Sequence, residues 1–249
     1  MKTIRFLLIL CAAFTFSGFP AEAEEKIGVV LMHGKRGTAM ERSPVGKLAY
    51  QLEIAGFLVA TPDMPWHRNR WLTKDYEQSM EEIDSVVADL KSRGATKIVV
   101  GGHSIGANAA LGYGARRDGL NGIDDYQLML DNDYQRAQEM VEAGKGEETA
   151  DFKDINQKEA SDWNLKARVY LSWFDPQGPA SMKKNSTALR PGTPLMWVDG
   201  VKDFSAKGKY YAFESAPAHP KNAYVVVDGN HGNAPIKGKK EIIAWLKGL

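Results

Sequence analysis

The chain has 249 residues, with 32 Lys and Arg against 31 Asp and Glu, 43% hydrophobic residues and one cysteine. A balance so close to neutral provides no field that would draw the protein to nucleic acid or to an anionic membrane surface. One cysteine excludes an internal disulfide framework and a cysteine-based metal site, and the length suits a single α/β domain with a sizeable core.

At the N-terminus, Lys2 and Arg5 precede an apolar stretch from Phe6 to Phe16, and Ala21-Glu22-Ala23 follows as a small-x-small cleavage signature. This pattern predicts a secretory signal peptide over residues 1–23 and a periplasmic or secreted product. The stretch is short for a membrane span. Cys11 lies inside it behind Leu10, where a lipid-anchor signal would place a small residue. Cleavage after Ala23 removes two of the 32 basic and one of the 31 acidic side chains, leaving 30 of each in a thiol-free domain spanning 24–249.

Lys26 to Met32 is a short continuous apolar run and predicts a strand. Ser43-Pro44 then supplies a helix N-cap with proline at the first helical position; Val45, Leu48 and Leu52 share one face, and Gly56 is the stop. Phe57 to Thr61 predicts a second strand. Tyr76, Met80, Ile83, Val87 and Leu90 form a helical stripe ending at Gly94. Lys97 to Gly101 predicts a third strand, and the Ala/Gly-rich segment from Ala107 to Ala115 is helix-compatible. From about Asp118 to Lys166 the chain is polar, acidic and helix-leaning, clearest over Tyr134 to Gly144, with Leu128 to Leu130 as an alternative short strand. This insertion reads either as a solvated helical excursion or as a lid. Further strand-like runs follow at Arg168 to Trp173, Pro194 to Val198 and Ala223 to Val227, and Ile242, Ile243 and Leu246 mark a closing helix. Buried continuous strands alternating with helices predict a mostly parallel sheet with helices on both faces, whose ligands bind at the carboxyl ends of the strands.

The third strand runs directly into Gly102-His103-Ser104-Ile105-Gly106, a Gly-x-Ser-x-Gly elbow between a strand and a helix. Such a turn holds its serine in a strained conformation with the hydroxyl exposed, and the flanking glycines remove the Cβ atoms that would collide. A serine hydroxyl is a weak nucleophile at neutral pH and needs a base, and the base needs an orienting acid. His231, in the turn after the last strand, is the candidate base, and His67 is a weaker rival. Asp203, beyond the Gly200 turn, is the first candidate for the acid and Asp199 the second; either also fits a plain Asx turn. For the developing oxyanion, the amide of Ile105 and that of Lys35 in the His33-Gly34-Lys35-Arg36-Gly37 loop are the candidate donors. His33 reads as a residue that holds this loop. Arg36, Trp66, His67 and Arg68 read either as a pocket for a substrate with an acidic group or as solvated arginines and core tryptophans.

The His-Gly loop, the Gly-His-Ser-Ile-Gly elbow, the Gly-x-x-Asp turn and the late Gly-Asn-His-Gly together resemble the α/β-hydrolase superfamily from Lys26 to Leu249. The compact size is similar to dienelactone-hydrolase-like esterases, although Ser104 stands where those have cysteine. The resemblance implies a three-layer α/β-hydrolase fold, with Ser104, Asp203 and His231 as nucleophile, acid and base. The expected activity is hydrolysis of small-molecule carboxylic esters through an acyl-enzyme, without metal or cofactor. Amide cleavage or acyl transfer by the same serine is the alternative, and a non-catalytic binding protein on a hydrolase scaffold is another. Oligomeric state is left open.

Overall fold

A computed structural model of the chain describes residues 25–117, 132–156, 159–203, 206 and 208–249. Strand β1 (Ile27–Met32) leads to helix α1 (Pro44–Ile54), where the Ser43 side chain accepts from the Gly46 amide at 2.9 Å. That helix stops ahead of Gly56, whose φ of 96° suits a residue without Cβ. Strand β2 (Leu58–Ala60) follows, then α2 (Tyr76–Ser92), opened by a capping box in which Asp75 and Gln78 satisfy each other's backbone amides. Strand β3 (Lys97–Gly102) enters α3 (Ile105–Arg116).

These strands form a parallel sheet in the order β2-β1-β3, with β1 and β3 in register from Ile27 opposite Lys97 to Met32 opposite Gly102. Successive strand residues face opposite sides. Val30, Met32 and Val100 therefore join the core under α2 and α3, while Val29, Leu31, Val59 and Val99 pack with Val45, Leu48 and Leu52 of α1. The result is a sheet covered by helices on both faces, as the alternation of elements predicts.

Two expectations are corrected beyond α3. The segment 118–166 is not purely helical: α4 (Asn132–Glu142) is followed by an antiparallel hairpin of β4 (Thr149–Asn156) and β5 (Glu159–Lys166). Phe152 and Asp154 are buried and Asp151 and Lys153 exposed, the period-two alternation of a sheet with one wet face. The run from Arg168 to Trp173 is not a strand but lies within α5 (Ala167–Phe174), because Ala167, Tyr170 and Trp173 are buried at threefold spacing. A short apolar run satisfies either period, and here packing against α2 and α4 selects the helix. Leu128 to Leu130 and the proposed signal peptide lie outside the described residues.

Helix α6 (Met182–Thr187) leads to β6 (Met196–Gly200), which pairs in parallel with β7 (Ala223–Val227). Short α7 (Ala234–Lys237) and α8 (Lys239–Lys247) close the chain, with Leu246 in the α1-side core. Among the described residues, no helix is long and apolar enough to cross a membrane.

Tyr76 ties three helices together. Its hydroxyl lies 3.0 Å from both the backbone and side-chain oxygens of Asn108 in α3, and receives the Asn185 amide of α6 at 3.3 Å. Tyr76→Phe leaves those buried amides short of a partner, so urea unfolding should show a loss of about 1–3 kcal/mol with an unchanged slope.

Candidate active site

Ser104 occupies φ 57° and ψ −124°, a region that L-residues enter only under constraint. Two glycines make the turn possible. A Cβ on Gly106 would lie 2.6 Å from the His33 carbonyl oxygen, and one on Gly102 would lie 2.5 Å from the Gly106 carbonyl carbon. The N-terminus of α3 thus presses against the end of β1 with no room for a methyl group. The Ser104 side chain makes no cap bond to α3, so its hydroxyl is not consumed by the helix it opens.

Asp203 and His231 are in hydrogen-bond contact, Oδ2 to Nδ1 at 2.9 Å, with both side chains 8% exposed. The contact follows from how the exits of β6 and β7 are tied. Val201 N–H donates to Val227 O and Lys202 N–H to Gly229 O, both at 2.9 Å, and a Cβ on Gly200 would meet Gly229 O at 2.4 Å. Asp203 closes its own turn by donating to Gly200 O at 2.8 Å. On the other side, Asn230 and Asn233 exchange side-chain-to-amide bonds of 2.8 and 3.1 Å around His231. Asp199, the alternative acid, is committed elsewhere: it accepts from Trp197 Nε1 at 3.0 Å and from the Tyr224 hydroxyl at 2.5 Å. With Nδ1–H directed to Asp203, the lone pair of His231 resides on Nε2.

Ser104 and His231 line the same two clefts, one shared with Asp203 and one opening toward Gly34, Lys35 and Gly37. Among the described residues the Ser104 hydroxyl makes no hydrogen bond, and in unliganded enzymes such bonds commonly tighten only when substrate binds. The amides of Lys35 and Ile105 likewise have no acceptor among the described residues.

The loop carrying Lys35 is held from several sides. His33 is buried, its Nδ1 2.9 Å from Gly34 O and its Nε2 accepting the Met64 amide at 3.3 Å, while its carbonyl accepts Trp66 Nε1 at 2.7 Å. Burial lowers the pKa of this imidazole. Trp66 is fully buried against Trp173, and His67 is buried and 3.5 Å from Asp63. Arg68 and Arg36 are exposed, and the Arg36 guanidinium lies 4.6 Å from the Trp71 ring. None of Arg36, Trp66, His67 and Arg68 lines the two clefts at Ser104.

His103, beside Ser104, has a contact that no local pattern announces. Its Nε2 lies 2.7 Å from the His231 carbonyl oxygen, and the two rings are 4.7 Å apart. Only a proton on Nε2 makes that bond. Burial first, and the neighbouring His231 second, push the ring down from 6.5 to about 4, so it is neutral at pH 7. The unfolded chain takes up this proton near pH 6.5 and the folded chain only near pH 4. Stability from this group is therefore complete above the higher value and lost as pH falls toward the lower. Between pH 7 and 4, the wild type should lose about 3 kcal/mol more unfolding free energy than His103→Gln, measured by urea titration.

No protein-family model matches the sequence, and no curated protein matches it. Solved structures do. One from a study of LipS and LipT, two metagenome-derived lipolytic enzymes, is 14% identical with a TM-score of 0.66, over 90% of this chain and 95% of its own. DcsB, solved with a substrate analogue, is 13% identical with a TM-score of 0.66, over 90% and 92%. Est1E from Butyrivibrio proteoclasticus, solved with ferulic acid, is 15% identical with a TM-score of 0.60, over 91% and 89%. The chain has the α/β-hydrolase fold.

Proposed function

We propose that the protein is an exported serine hydrolase that cleaves short carboxylic esters through an acyl-enzyme on Ser104. The observation that carries this reading is the 2.9 Å contact between Asp203 and His231 beside a serine strained to φ 57°. Strain of that kind costs about 1–3 kcal/mol and persists where the surroundings enforce it, commonly at reacting residues. Esterase and lipase structures among the neighbours support the reaction class.

In this reading His231 Nε2 takes the Ser104 proton as Oγ bonds to the ester carbonyl carbon, and Asp203 steadies the imidazolium through Nδ1–H. Negative charge collects on the former carbonyl oxygen, where the Lys35 and Ile105 amides receive it; the start of α3 adds a favourable partial charge. Collapse breaks the bond to the alcohol, which leaves with the proton from His231. Water then attacks the acyl-serine, gives its proton to the same nitrogen, and the acid departs as Ser104 is restored.

The cleft bounded by Gly37, Thr38, Pro44 and Val45 has a volume of about 200 Å³. Pockets for drug-sized ligands run to about 300–1,000 Å³, so this space suits a short chain. Export rests on the charged, apolar and small-residue pattern of residues 1–23.

A fluorophosphonate should label wild-type protein at Ser104, and no adduct on folded protein would remove the reading. Ser104→Ala should abolish ester turnover, and Asp203→Asn should lower kcat by about 10³–10⁴-fold, whereas Asp199→Asn keeps kcat within a few-fold of wild type. Across p-nitrophenyl esters, acetate and butyrate should be turned over faster than decanoate; the reverse order would contradict the assigned cleft, and faster turnover of anilides than esters would reassign the reaction to amides.

A further inference from the structure

The buried face of the β4–β5 hairpin carries a charge where its alternation calls for an apolar side chain. Phe152 points inward and stacks on Tyr170 with ring centroids 4.4 Å apart, and Trp163 pairs across from it on the same face. Two residues on, Asp154 also points inward, where its Oδ1 meets Lys35 Nζ at 2.6 Å. The two side chains are 3% and 9% exposed, and Asp154 Oδ2 is buried with no hydrogen-bond partner among the described residues. Lys35 Nζ also lies 5.1 Å from the Phe174 ring and 6.0 Å from the Trp163 ring, and next to it Arg36 lies 4.6 Å from the Trp71 ring and 5.8 Å from Trp163.

A buried ion pair rarely repays the desolvation of its partners, and this one leaves a carboxylate oxygen unsatisfied as well. Stability alone does not explain keeping it. What the pair does accomplish is location. Asp154 sits on a hairpin paired over its whole length, and Lys35 carries, one backbone unit from its side chain, an amide without an acceptor among the described residues. Arg36 adds a second hold, since its own amide donates to Trp66 O at 2.9 Å while its backbone sits at φ 53°.

We infer that the hairpin sets the oxyanion hole: Asp154, by gripping the Lys35 side chain, is a positioning residue that aims the Lys35 N–H at the oxygen of the tetrahedral intermediate. This rests on the serine-hydrolase reading. It gives the insertion between α3 and α5 a task in catalysis other than covering the serine. Misplacing a preorganised donor weakens the transition state more than the ground state, so the signature is a fall in kcat with KM little changed.

The test compares the full-length mature protein with Asp154→Asn, with the double variant Lys35→Met/Asp154→Leu, and with Asn164→Ala on the wet face of the hairpin. The double variant keeps the Lys35-position amide, removes both charges and so avoids a lone buried ion. Measured on p-nitrophenyl butyrate, both Asp154 variants should lose about 10–100-fold in kcat with KM within threefold, while Asn164→Ala stays within twofold of wild type. Inhibition by a boronic acid that mimics the tetrahedral state should weaken in parallel with kcat. A folded double variant with wild-type kcat would overturn the inference, as would equal losses at Asn164→Ala. Wild-type protein that neither turns over esters nor takes a fluorophosphonate would instead overturn the hydrolase reading, and this inference with it.

Discussion

The close approach of α3 to the end of β1 constrains everything around Ser104. A helix that begins immediately after a parallel strand can pack back onto the sheet only through a sharp reversal, and the residue at that reversal is Ser104 at φ 57°. Holding an L-residue there costs about 1–3 kcal/mol, a noticeable part of the roughly 5–15 kcal/mol by which domains are stable. The glycines on either side do not relieve that strain; they let the backbones meet so that the surrounding sheet can enforce it. The same reversal leaves the hydroxyl outside the helix's own hydrogen bonding and places it at the carboxyl edge where the loops after β1, β6 and β7 converge.

Those loops are held by polar contacts in buried places. His33 braces the loop after β1, His103 grips the His231 carbonyl, and Lys35 meets Asp154. Each removes polar groups from water and returns little net stability. The apolar layers on the two faces of the sheet must offset that cost, and they are extensive, from Val30, Ile83 and Leu111 on one side to Val29, Leu48 and Leu52 on the other. The core supplies stability, and the edge spends part of it on geometry.

How much of this was legible in the sequence depends on whether the signal was local. Strands β1, β2, β3, β6 and β7 could be read because their apolar runs are short and continuous, and α1 and α2 because Ser43, Gly56 and Gly94 punctuate their apolar stripes; the Asp75 cap of α2 emerged only in the structure. The run of α5 is as apolar as a strand, and only its neighbours decide its period. The hairpin was hidden inside a polar segment: Asp151 and Lys153 dilute the hydrophobicity that Ala150 and Phe152 contribute, although their alternation was present to be counted. At the site, chain order presented Ser104, an acid and His231, but that Asp199 is held by Trp197 and Tyr224 while Asp203 meets His231 was not legible, because Tyr224 reaches Asp199 only through strand pairing and Asp203 reaches His231 across two loops. The pairing of Lys35 with Asp154, 119 residues apart, has no local trace at all.

Among the described residues, the parallel strands form two separate hydrogen-bonded groups, β2-β1-β3 and β6-β7, apart from the β4-β5 hairpin. Ser104 and the loop after β1 belong to the first group, Asp203 and His231 to the second, and His103 reaches from one to the other. A slight parting of the two groups would separate Ser104 from His231 while every helix and strand stayed intact. Warming should then loosen the Ser104–His231 neighbourhood before circular dichroism registers any melting, making that edge a more sensitive thermometer of this molecule than its secondary structure.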